Sequence, residues 1–110
     1  MAKSNSFFNI DLLVLSILRN HDHYGYEVVK LMNEISDEAI TIKEGTLYPI
    51  MYNLLKKGYI TSEDKIVNRK IRVYYHIEDT GIEYLENVIK EFKLNIEGVF
   101  KIIQYGEKGE

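Results

Sequence analysis

Near the middle of this chain Thr46, Tyr48, Tyr52, Asn53 and Lys56 recur on one side of a helical repeat, with Leu47, Ile50 or Met51, and Leu54 on the other. Hydroxyl and amide groups exchange hydrogen bonds with base edges, and an ammonium neutralises a phosphate. Arg69, Lys70 and Arg72 follow in a β-rich stretch whose alternation puts Lys70 and Arg72 on one face, again a set suited to phosphates. Charge that protects an edge strand is the competing use of these three. Groups for covalent chemistry do not assemble in this way. The sequence holds no Gly-rich phosphate cradle, no Gly-x-Ser-x-Gly elbow and no carboxylate pair with a plausible base, so no catalytic residue and no enzyme are expected. His21, Asp22 and His23, with Glu27 four residues after His23, superficially resemble metal ligands. Without a cysteine or a clear fourth ligand, a surface turn is the better reading, and neither metal nor cofactor is expected. His76, between strand aromatics, reads as structural.

A chain of 110 residues is one domain by length, able to bury roughly two thirds of its unfolded surface. Hydrophobic content of 45% and charged content of 28% are ordinary for a globular protein. Cysteine is absent, which excludes disulfides and thiolate zinc sites and suits a reducing compartment. The opening residues carry one charge, and the apolar run after them is broken by Asn9 and Asp11, so neither a signal peptide nor a membrane-spanning helix fits. A cytoplasmic protein with no membrane partner is expected. The net charge of -3 is unevenly spread: residues 56–72 hold Lys56, Lys57, Lys65, Arg69, Lys70 and Arg72 against Glu63 and Asp64, a net +4 that leaves -7 on the remainder. A basic footprint on an acidic body is the pattern of a polyanion-binding surface.

The elements that position these groups follow from periodicity. Residues 7–19 are apolar on nearly every side, which predicts a helix buried on more than one face, with Asn9, Asp11 and Ser16 in need of partners. A polar turn at Asn20, His21, Asp22 and His23 precedes a second helix over 24–35, whose first turn Gly25 weakens. Residues 39–42 suggest a small strand. The third helix starts between Glu44 and Thr46 and ends at Gly58. With Thr46 as N-cap, Pro49 falls where no intrahelical amide is needed; with an earlier start, Pro49 should bend the helix. Strands over 59–65 and 70–77 turn around Val67, Asn68 and Arg69. A last helix over 79–103 carries Ile82, Leu85, Ile89, Phe92, Ile96, Val99 and Ile103 at alternating spacings of three and four, a heptad seam. Val88, Leu94 and Phe100 widen its apolar surface beyond what one small body can cover, which predicts a homodimer. Gly98 inside this helix implies a close backbone approach or a break.

The expected fold is mostly α with a small β-hairpin (α+β): a winged helix-turn-helix plus a long C-terminal dimerisation helix, its third helix in the major groove of DNA and its wing on the backbone. The run Tyr24-Gly25-Tyr26-Glu27-Val28, then Gly45-Thr46-Leu47-Tyr48-Pro49 with Leu54 and Gly58-Tyr59-Ile60, then Arg69-Lys70 with Tyr74-Tyr75 and Gly81, resembles the PadR family of transcriptional regulators. The match spans roughly residues 12–85. The resemblance implies a homodimeric repressor of double-stranded DNA, dimerised through a single C-terminal helix and often answering to small aromatic or drug-like molecules. It places Gly45, Thr46, Tyr48 and Pro49 at the DNA-facing start of the recognition helix, Tyr26 near the same surface, and Arg69, Lys70 and Arg72 in the wing. Residues 1–78 would form the DNA-binding domain and 79–110 the dimerisation helix and tail.

The chain also departs from that pattern. Tyr52 and Asn53 stand where family members usually carry arginines, the wing lacks its usual glycines and has only Asn68 suited to positive φ, and Glu78 replaces the usual threonine cap, leaving Asp79 to cap the last helix. An effector site is expected where the last helices of a dimer cross near the first, from Phe8, Asp11, Leu12, Phe92 and Ile96, with plain dimer packing as the alternative. The function expected is a repressor on an inverted repeat; the alternative is a dimeric winged-helix module that binds protein or ligand without reading DNA.

Overall fold

The computed structural model describes residues 9–109. In chain order it contains α1 (Ile10–Asn20), β1 (His23–Tyr24), α2 (Gly25–Ile35), α3 (Glu44–Lys56), β2 (Ile60–Val67), β3 (Lys70–Ile77) and α4 (Asp79–Glu107). The strands form one antiparallel sheet in the order β1-β3-β2. The expected winged-helix architecture is therefore present, with the hairpin widened to three strands by His23 and Tyr24, which pair with Tyr75 and Tyr74. The third strand was expected at residues 39–42. That segment is instead turn and coil, because Asp37 and Glu38 take φ of 54° and 68° and the Ser36 hydroxyl accepts from the Ile40 amide at 3.0 Å.

Leu12, Val14, Leu15 and Leu18 of α1, Val28 and Met32 of α2, and Leu47, Met51 and Leu54 of α3 close on Ile60, Tyr75 and Ile77 of the sheet and on Leu85 of α4. The α3 stripe matches its 3.6-residue spacing, and burial of each such aliphatic side chain contributes about 1.5–3 kcal/mol. Asn9 caps α1, its side-chain oxygen accepting from the Leu12 amide at 2.8 Å.

Two helix starts differ from expectation. Lys43, not Thr46, is the N-cap of α3, and no side chain supplies a capping bond. The helix begins with the Thr46 and Leu47 amides donating to the Lys43 carbonyl at 2.9 and 3.1 Å, and it continues through Pro49 to Lys56. In α4 the N-cap is Glu78 and Asp79 is the first-turn acid. The Glu78 carboxylate is engaged elsewhere, accepting from the Thr61 hydroxyl at 2.8 Å.

The end of α3 is a Schellman turn. The Tyr59 amide donates to the Leu54 carbonyl and the Gly58 amide to the Leu55 carbonyl, each at 3.0 Å, with Gly58 at φ 77°. Directly beyond it, α4 is clamped on: the Glu78 amide donates to the Tyr59 carbonyl at 2.9 Å, and the Thr80 hydroxyl to the Gly58 carbonyl at 2.7 Å. A β-carbon on Gly81 would collide with the Tyr59 carbonyl oxygen, so this approach requires glycine. The Tyr59 and Tyr84 rings stack above the joint at 4.4 Å.

Ile82, Leu85, Ile89 and Phe92 of α4 pack against the chain's own core, while Leu94, Phe100, Ile102, Ile103 and Tyr105 are exposed. The helix is unbroken at Gly98, and among the described residues nothing lies within 4 Å of where its β-carbon would be. The expected break is thus absent, and any close approach there must come from outside the chain.

Candidate nucleic-acid interface

The register of α3 sends Leu47, Met51 and Leu54 inward and leaves Gly45, Thr46, Tyr48, Pro49, Tyr52, Asn53 and Lys56 exposed. Pro49 has no amide hydrogen to give the carbonyl four residues earlier, that of the exposed Gly45. Lys56 Nζ lies 5.6 Å from the centre of the Tyr52 ring.

Tyr48 has a double attachment. Its side chain is 43% exposed, yet the hydroxyl end is seated against Gly25 of α2, where a β-carbon would collide with the hydroxyl oxygen and come within 2.8 Å of Cζ. Burial, then the Glu44 carboxylate, pushes the Tyr48 hydroxyl above the usual tyrosine range, so it stays protonated and able to donate. Gly25, which weakens a first turn on propensity alone, is the residue that lets α2 and α3 meet. The spacing of Tyr24, Gly25 and Tyr26 was the available signal for it. Tyr26 lies beside this contact and is 53% exposed.

At the hairpin tip both Asn68 and Arg69 lie at positive φ, 52° and 67°. Sequence reasoning assigned that conformation to Asn68 alone. A two-residue turn between right-twisted strands demands it at both central positions, so Arg69 takes the conformation glycine normally would. Lys70 and Arg69 are exposed and Arg72 half-buried. The Arg72 guanidinium sits 4.4 Å from the centre of the Tyr24 ring, Tyr24 meets Tyr74 edge-on at 5.4 Å, and Lys65 Nζ is 4.8 Å from the Tyr74 ring. Tyr24 and Tyr74 thus fix the cations of the wing, a role that sequence reasoning missed because it depends on the β1 pairing. Between wing and helices lies an open cleft of about 390 Å³, lined by Tyr24, Tyr26, Glu44, Tyr48, Ile71, Arg72, Val73 and Tyr75. Thr46, Tyr48, Tyr26 and the wing cations therefore belong to connected parts of the molecule.

The other candidate residues lie on α1 and α4. Asp11 is half-buried, and burial raises its carboxyl above the usual range while nearby Lys57 opposes the shift. Leu12 is buried in the core, Phe92 is partly buried against it, and Ile96 and Val99 are half-exposed. Phe8 lies outside the described residues. The histidines pair separately: His23 Nδ1 is 3.1 Å from Glu27 Oε1, and His76 Nδ1 is 2.8 Å from Asp22 Oδ1. Among the described residues no three of these groups are arranged to hold a metal, and no helix is long and apolar enough to cross a membrane.

Comparison with known proteins gives this geometry a context. The sequence model of the transcriptional regulator PadR-like family matches residues 14–87. The structure of a transcriptional regulator from Clostridium thermocellum is similar, at 38% identity and a TM-score of 0.78, over 84% of this chain and 90% of that one. A PadR family transcriptional regulator from Eggerthella lenta is similar at 36% identity and a TM-score of 0.74, over 86% and 80% of the two chains. Bacillus subtilis PadR, solved in complex with operator DNA, shares the fold at 24% identity and a TM-score of 0.66, over 71% of this chain and 44% of that one.

Proposed function

Because the chain belongs to the PadR-like family of transcriptional regulators, we propose that it is a homodimeric repressor that binds double-stranded DNA at an inverted repeat. The observation that carries this reading is the outward face of α3, with Thr46, Tyr48, Pro49, Tyr52 and Asn53 exposed beside a wing whose Arg69, Lys70 and Arg72 are free of acidic partners among the described residues. The solved operator complex of a fold neighbour supports it. Residues 1–78 make the DNA-binding part. Lys56, Arg69, Lys70 and Arg72 hold phosphates, while Thr46, Tyr48, Tyr52 and Asn53 approach base edges, with Gly45, Pro49 and Tyr26 shaping the same surface. Asn53 has the bidentate geometry for adenine.

Residues 79–110 make the dimer. Ile96, Val99 and Ile103 continue the seam past the point where the chain's own core ends, beside the bare Leu94 and Phe100, and this unpaired apolar length favours a second copy. Two copies place the recognition helices on half-sites about one helical turn or a multiple apart. Where the seam begins, Asp11, Leu12, Phe92 and Ile96, with Phe8, form the effector site, and a flat aromatic or drug-like cation is the ligand its carboxylate and apolar wall suit. Binding there releases the operator and frees the promoter.

Gel-shift titration with the gene's own upstream region, at low and moderate salt, tests the reading. A preference for that DNA over unrelated duplex at both salts is expected. Equal affinity for both would favour a dimeric interaction module instead, the reading that Tyr52 and Asn53 in place of arginines would then support.

A further inference from the structure

The two faces of the β2–β3 hairpin differ in chemistry. Directly opposed residues share a face, so Lys65 with Arg72 and Val67 with Lys70 make one side, and Ile66 with Ile71 and Asp64 with Val73 make the other. On that second side Ile66 is 78% exposed and Ile71 70% exposed, while farther along the same face Tyr75 and Ile77 enter the core. The apolar stripe that docks the sheet thus continues past the body, where packing gives it no purpose. Its direction is set by the cleft that Ile71 and Val73 share with Tyr26 and Tyr48, which turns the stripe toward the start of α3. Lys65, Arg69, Lys70 and Arg72 surround the isoleucine pair, and Asp64, opposite Val73, marks where the stripe stops.

An exposed apolar pair ringed by cations is complementary to a groove of duplex DNA, whose deoxyribose walls are apolar and whose rims are phosphate. We propose that Ile66 and Ile71 form an apolar wedge that lies against the walls of the minor groove beside the major-groove site of α3. This rests on the DNA-binding reading above. The wedge supplies a part of the affinity that salt does not weaken, which suits a chain whose recognition helix has Tyr52 and Asn53 and only Lys56 as a cation on its outer face.

The test is the double variant Ile66→Thr/Ile71→Thr, in which β-branching keeps the strands favourable. Anisotropy titrations of the full chain with A·T-rich upstream duplex, across a range of salt, should show affinity reduced by about tenfold with an unchanged salt slope, since no charge is removed. Netropsin, which occupies the minor groove, should weaken the parent protein more than the variant. Thermal melting and light scattering should match between the two proteins. Undiminished affinity would overturn the wedge, and so would a change of oligomeric state, which would put a second copy on the stripe. A parent protein that binds no duplex would overturn the DNA-binding reading together with it, whereas tight parent binding and an indifferent variant would overturn the wedge alone.

Discussion

Replacing Arg69 by glycine should make the protein more stable and a weaker DNA binder, two effects that ordinarily travel together. Arg69 sits at φ 67°, a left-handed conformation that costs an L-residue roughly 1–2 kcal/mol. Glycine takes it freely but loses about 0.5–1 kcal/mol more backbone entropy on ordering. The net expectation is a gain of about 0.5–1 kcal/mol, or roughly 3 °C in melting temperature for a domain of this size. Binding should move the other way. Each phosphate contact contributes about 0.9 to the slope of log affinity against log salt, so losing one per protomer lowers a dimer's slope by about 1.8. With affinities meeting near ~1 M salt, that is roughly a 60-fold loss at about 0.1 M. Differential scanning fluorimetry and anisotropy with random-sequence duplex read the two quantities. A variant whose stability falls would refute the strain argument, and one with the parent's slope would remove Arg69 from the phosphate contacts.

Gly81→Ala should cost about 1–3 kcal/mol in urea unfolding, because its β-carbon meets the Tyr59 backbone. Gly25→Ala should cost less, since the atom it meets is the far end of Tyr48, and equal costs would show that the α3–α4 joint relaxes freely. The hydrogen bond from His76 to Asp22 raises the imidazole above the usual histidine range. Its contribution is therefore full below the histidine's unfolded value and lost as pH climbs through the raised folded one. Asp22→Asn should lower the His76 titration midpoint by NMR and narrow the stability difference between mildly acidic and mildly alkaline buffer, and an unmoved midpoint would refute the pairing.

Much of this molecule is legible in its sequence where a single period governs many residues. The Leu47, Met51 and Leu54 stripe, the alternating β3 residues and the seam from Ile82 to Phe92 each bury a repeated face, so pattern alone locates them. What is hidden depends on one contact between distant segments. His23 and Tyr24 are a strand only because Tyr75 and Tyr74 lie opposite, and no local signal distinguishes them from the polar turn expected there. The start of α3 is hidden for another reason: Lys43 caps by backbone alone, so the hydroxyl of Thr46 pointed to the wrong residue. The exposed groups of the candidate interface follow from α3 periodicity, whereas the hold of Tyr24 on Arg72 and of Gly25 on Tyr48 required the fold.

The clamp between Gly58, Tyr59 and the first turn of α4 makes the reading helix and the long helix one rigid limb. α4 spans 29 residues, about 43 Å at 1.5 Å per residue, and the whole chain extends 64 Å along its longest axis. Two such limbs joined along their far ends behave as a pair of calipers. Sliding the crossing point by one helical turn, about 5.4 Å, resets the gap between the tips, so the choice of α4 register in a dimer would be a choice of operator spacing.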